Sequence, residues 1–152
     1  MSRLRLLVIE DGQEYITTLS RFLSEDFDMA RAGDGGAALQ ALGAQPYDVV
    51  FLDMRFDRVP AERLLGDLDE ASARCNGDRE RGLRFLEDNQ GTFVLAALRE
   101  AGHALPVVFS YDFDSEPRRF RHLSQRFGPL SYLSDNAGPE QIRRALSEAG
   151  TR

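Results

Sequence analysis

The sequence predicts an α/β fold, a doubly wound parallel sheet of five strands with helices on both faces. Three observations carry this expectation. Short apolar runs rich in branched side chains recur along the chain, as in strands buried on both faces. Stretches of helical periodicity separate these runs, the pattern of βαβ units with right-handed crossovers. The length of 152 residues, with 42% hydrophobic and 29% charged, suits residues 1–152 as one domain around one core.

The elements follow in order. Leu4-Arg5-Leu6-Leu7-Val8-Ile9 is a nearly continuous branched strand that stops at Glu10-Asp11-Gly12. A helix over 13–25 presents Tyr15, Ile16, Leu19, Phe22 and Leu23 at helical spacing. Phe27 to Ala32 forms the second strand. Asp34 then caps a helix that carries Ala37, Ala38, Leu39 and Leu42 and ends near Gly43. Tyr47 to Leu52 is the third strand, running into Asp53. Pro106 to Ser110 is the fourth and Leu130 to Leu133 the fifth, with helical patterns at 79–101, 115–127 and 139–149. The arrangement is flavodoxin-like, with strand order 2-1-3-4-5.

One stretch exceeds this plan. Between Asp53 and Ser110 lie 56 residues, where a whole βαβ unit needs roughly 30. The surplus lies at 54–80 and reads as a structured lid over the carboxyl ends of the strands. Residues 61–74 are expected to be helical despite Gly66, with Leu64, Leu65 and Leu68 packed against the domain or against a second copy in a homodimer. Cys75-Asn76-Gly77-Asp78 follows as a turn.

Composition excludes several classes. The nineteen cationic residues are all arginine, and against twenty-five acids they leave a net charge of -6. Lysine-dependent chemistry is therefore excluded, and broad nucleic-acid binding, which needs cations against phosphates, is not expected. The one cysteine, Cys75, excludes an internal disulfide framework and points to a reduced, cytoplasmic setting. No apolar run reaches the ~20 residues of a membrane span. The row Arg118, Arg119, Arg121, His122 and Arg126 reads as a solvated helix face that could also meet an acidic partner.

In this fold, ligands sit outside the carboxyl ends of the strands. Glu10 and Asp11 end strand 1 and Asp53 ends strand 3, its neighbour, so three carboxylates converge in one crevice. Crowded acids are costly unless they share a cation. Mg²⁺ suits the place, because it takes oxygen ligands and keeps several waters beside one or two carboxylates and a phosphate.

The runs Leu6-Leu7-Val8-Ile9-Glu10-Asp11, Asp48-Val49-Val50-Phe51-Leu52-Asp53-Met54, Pro106-Val107-Val108-Phe109-Ser110 and Gly128-Pro129-Leu130-Ser131-Tyr132-Leu133 resemble the receiver domain of two-component response regulators. The resemblance covers nearly the whole chain apart from the insertion. It implies a signalling module, not an enzyme, in which Asp53 accepts a phosphoryl group as a carboxylate nucleophile. It further implies Glu10, Asp11, Asp53 and the backbone carbonyl of Arg55 as Mg²⁺ ligands. Ser110 matches the hydroxyl that reaches the phosphoryl group, and Tyr132 the aromatic that changes rotamer with it. The implied partners are a histidine kinase or phosphotransfer protein upstream and a protein target downstream.

The chain departs from the family pattern at two places. The family's lysine after strand 5 is replaced within Ser134-Asp135-Asn136-Ala137, with Asp135 best aligned to it. Tyr111 follows Ser110 where the family has a small residue, and is expected to narrow access to Asp53. Arg55 and Arg58 stand close enough in sequence to compensate, since arginine bonds phosphate through two parallel N–H groups. A competing reading is a phosphorylation-independent protein-binding module on the same fold. A third and weaker one is a small phosphohydrolase using the acids and Mg²⁺.

Overall fold

The computed structural model describes residues 3–151. Five parallel strands run β1 (Leu4–Ile9), β2 (Phe27–Ala32), β3 (Val49–Asp53), β4 (Val107–Ser110) and β5 (Leu130–Leu133), in the spatial order β2-β1-β3-β4-β5. The helices among the described residues are α1 (Glu14–Leu23), α2 (Gly35–Ala44), α3 (Leu68–Arg74), α4 (Arg79–Asp88), α5 (Gln90–Glu100), α6 (Pro117–Phe127) and α7 (Pro139–Gly150).

Strand alternation divides the core into two layers. Leu6, Val8, Val49, Phe51 and Val108 meet Leu19 and Leu23 of α1 and Ile142, Leu146 and Ala149 of α7. Leu7, Ile9, Val50, Leu52, Val107 and Phe109 point the other way, against Ala38 and Leu42 of α2, Val94, Leu95 and Leu98 of α5, and Leu123 of α6. Because side chains of successive strand residues face opposite sides, a strand buried on both faces must be apolar throughout. That is why these strands read as unbroken runs.

Register then sets the edge where the strands end. Ile9 pairs with Leu52, and Asp53 pairs with Ser110. Glu10, Asp11, Asp53 and Ser110 therefore emerge at one rim of the sheet.

Two long helical expectations are corrected. The stretch 61–74 is a 3-10 turn at Ala61–Arg63, a break at Gly66 with φ +102, and only then α3. The stretch 79–101 is two helices, interrupted at Asn89. The break turns the side chain of Gln90 inward, where it is 1% exposed. Its Oε1 accepts from Leu65 N at 2.8 Å, while its Nε2 donates to Leu65 O at 3.0 Å and Leu86 O at 3.1 Å. A single buried amide thus satisfies backbone groups that would otherwise be costly to bury.

The inserted segment is built around this amide. Asp67 caps α3 and Asp78 caps α4 through side-chain bonds to Glu70 N and Arg81 N. Between them Asn76 and Gly77 both take positive φ, the turn read from the sequence. Gly82 lets the two helices touch, since a Cβ there would strike the backbone of Ser72. Leu64, Ala71 and Leu86 join the same apolar layer as Val94 and Leu98, with Leu65 and Leu68 packed against it. Most of the insertion therefore thickens the flank beside α2 and α5. Arg63 and Leu65 reach Asp34 and Gly35 after β2, while at the acidic cleft the expected lid is confined to the short strap 55–58.

Candidate functional site

A cleft of about 320 Å³ opens at the carboxyl ends of β1 and β3, lined by Glu10, Asp11, Glu14, Tyr15, Asp53, Arg55, Asp57 and Arg58. Each position follows from the local fold. Glu10 leaves β1 and turns back beneath the start of α1, where its carboxylate accepts from Tyr15 N at 3.1 Å and Ile16 N at 2.7 Å. It caps a helix N-terminus that lacks a cap from Gln13. Burial is the largest influence on Glu10 and raises its pKa, with those two amide bonds pulling the other way.

Asp11 Oδ2 accepts from Arg58 N at 2.8 Å, which ties the strap to the end of β1. The Arg58 guanidinium pairs with Glu14 at 2.7 Å. Arg55 pairs with Asp88 at 3.2 Å and Asp57 at 3.5 Å. Both cations are thus held by other acids, and among the described residues no salt bridge reaches Asp53. Asp53 Oδ1 accepts only its neighbour's amide, Met54 N, at 2.9 Å. Desolvation by burial, joined by the negative charges of Asp11, Glu10 and Glu14, pushes Asp53 up to about 6 against that one bond.

Ser110, 4% exposed, shares a hydrogen bond with the Tyr15 hydroxyl. The Tyr15 ring stands edge-on to Phe51, centroids 5.0 Å apart at 85°. Burial raises the Tyr15 phenol pKa; the bond to Ser110 lowers it, and the charges of Asp53, Asp135 and Glu10 raise it further. In the sequence Tyr15 reads only as one apolar position of α1. Its place in the first turn after an acidic strand end was the available signal.

Tyr111 does not narrow the cleft. Strand alternation turns it to the opposite side from Ser110, where its hydroxyl bonds Glu116 and Arg119 lies 5.7 Å over its ring. The aromatic at the cleft is Tyr15. Tyr132 is half-buried in a cluster with Phe113 and Phe120, and its hydroxyl donates to Asp114 at 2.5 Å. The structure does not bring it to Ser110. Asp135 is exposed in the turn after β5, with its charge felt at Tyr15.

Among the described residues, no group of three His, Cys, Asp or Glu side chains is drawn close enough to hold a metal ion. The reason is local, because the Glu10 carboxylate is turned to the α1 amides. Asp11 and Asp53 remain, with the carboxylate count and hard-oxygen chemistry that suit Mg²⁺. Chemically, the cleft offers a half-buried carboxylate without a cationic partner among the described residues, a second carboxylate beside it, and a part-buried hydroxyl pair. No helix among the described residues is long and apolar enough to cross a membrane.

No family model matches the chain, and no curated protein matches it in sequence. Solved structures do match in shape. The receiver domain of the Francisella response regulator 1452 superposes with a TM-score of 0.63 at 15% identity, over 99% of this chain and 98% of that one. The signal receiver domain of NarL from Mycobacterium tuberculosis gives 0.64 at 19% identity, over 99% and 98%. The response regulator domain of Thermotoga maritima CheB gives 0.64 at 12% identity, again over 99% and 98%. With five parallel strands in the order 2-1-3-4-5 and superposition over nearly the full length of each of these structures, the chain has the receiver fold of response regulators.

Proposed function

We propose that this receiver fold accepts a phosphoryl group on Asp53 from a histidine kinase or phosphotransfer protein in the cytoplasm, and passes the signal on by protein–protein contact. The observation that carries the reading is Asp53 itself, at the end of β3 in an open cleft, with acidic neighbours around it and, among the described residues, no salt bridge to it. In the transfer, an Asp53 oxygen forms the new P–O bond as the P–N bond of the phosphohistidine breaks. The imidazole nitrogen keeps that electron pair. An acid titrating at about 6 is mostly ionised at neutral pH, as attack requires.

Asp11, Asp53 and the Arg55 carbonyl would hold Mg²⁺, with Glu10 behind them as the helix cap. Bound there, the ion would supply charge stabilisation for the phosphoryl oxygens. Ser110, the register partner of Asp53, would supply the hydroxyl that bonds the phosphoryl oxygens. Tyr132 would report the switch only after giving up Asp114.

The test is intact mass after exposure to phosphoramidate and Mg²⁺. A single added phosphoryl group, lost in Asp53→Asn, supports the reading, and an unlabelled wild type refutes it. One observation favours a second reading, phosphorylation-independent binding of a protein partner: Asp135 stands after β5 where a cation would stabilise a phosphoryl group. That reading gains if no variant is labelled.

A further inference from the structure

We infer that Tyr15 is a positioning residue for phosphoryl acceptance, acting through Ser110; the inference rests on Asp53 being the acceptor. Tyr15 is held on three sides. Its amide is bound to Glu10 Oε1 at 3.1 Å, its ring stands against Phe51 at 5.0 Å, and its hydroxyl is bonded to Ser110. The same side chain lines the Asp53 cleft. Glu10, at the end of β1, thus sets where the phenol stands, and the phenol sets where the Ser110 oxygen stands.

The proton count shows what this achieves. Each hydroxyl has one proton to donate, and the serine oxygen can accept while it donates. Either oxygen can donate in this bond; we assign the donor role to the phenol, the stronger acid of the two. The serine proton is then left for an acceptor on the next strand, where Asp53 is the register partner of Ser110. A hydroxyl that accepts one hydrogen bond is polarised toward making the next. Arg55 and Arg58 are directed to Asp88, Asp57 and Glu14 rather than to Asp53. The hydroxyl pair is therefore the neutral donor the site brings to a phosphoryl group.

The experiment measures labelling of Asp53 by phosphoramidate with Mg²⁺, and the half-life of the label after donor removal, by intact mass. Tyr15→Phe keeps the ring on Phe51 and removes only the hydroxyl. It should shorten the half-life about five-fold, the usual effect of losing one net hydrogen bond. Ser110→Ala should do the same, and the double variant should be no worse than either. Ser110→Thr, which keeps a hydroxyl, should retain most of the half-life. Losses that multiply in the double variant would show two independent effects and overturn the inference. So would a Tyr15→Phe half-life equal to wild type while Ser110→Ala falls. Urea denaturation of each variant confirms that the folded protein is being compared. A wild type that takes no label at all overturns the acceptor reading and this inference with it; a labelled wild type indifferent to Tyr15→Phe overturns this inference alone.

Discussion

Replacing Asp53 with Asn should stabilise the protein by an amount that grows from about pH 4 and is full at neutral and alkaline pH. The acid titrates at about 6 in the fold against 3.8 as its ordinary value. With the folded value above the unfolded one, the protonated acid is the form the fold prefers. The contribution of this group is fully present below pH 4 and is lost as pH rises through about 6. A shift of this size corresponds to at most about 3 kcal/mol at pH 8. Asp53 is half-buried beside an open cleft, so water lowers this, leaving about 1–2 kcal/mol. Asn keeps an oxygen for the Met54 amide and carries no charge. In a chain of this size that gain raises Tm by roughly 2–8 °C. Urea and thermal denaturation of both proteins from pH 4.5 to 8.5 decide it. The gap should be smallest at the acid end, open between about pH 4 and pH 6, and stay level above that. Mg²⁺ should narrow the gap by stabilising only the wild type, by about 1.4 kcal/mol at ten times its Kd. A gap that is constant with pH, or an Asn variant less stable than wild type at pH 8, would refute the claim that Asp53 is held uncompensated.

Other outcomes follow from the same geometry. Asp135→Lys should raise the labelled fraction of Asp53 in the phosphoramidate assay by roughly two- to tenfold, because it changes the local charge by two units at an exposed turn where solvent screens part of the effect. Gln90→Leu leaves Leu65 N, Leu65 O and Leu86 O without their shared partner; it should cost about 2–4 kcal/mol in urea and speed amide exchange at Leu65. Arg99 donates to the carbonyls of Phe127, His103, Leu105 and Pro129, and Arg99→Ala should lower stability by about 2–4 kcal/mol while the labelling of Asp53 is retained.

The order of elements, the parallel sheet and the acidic strand ends were legible in the sequence by itself. Strand positions buried on both faces must be apolar, so the runs 6–9 and 49–52 announce themselves without reference to their neighbours. Acids at the ends of adjacent strands follow once the strand order is known. Helix breaks were less legible, because periodicity over 79–101 continues through Asn89 and nothing local marks Gln90 as a buried amide. What only the tertiary structure decided is the direction of each side chain at the rim. Glu10 could have faced the cleft or α1; it was drawn to the unsatisfied amides of Tyr15 and Ile16. Tyr111 and Tyr15 exchanged the expected role at the cleft, because alternation sends Tyr111 toward Glu116 and the first turn of α1 brings Tyr15 onto Ser110. These contacts join residues 5 to 95 positions apart. Such partners are chosen by packing and by the need to satisfy buried polar groups, and neither is written in local periodicity.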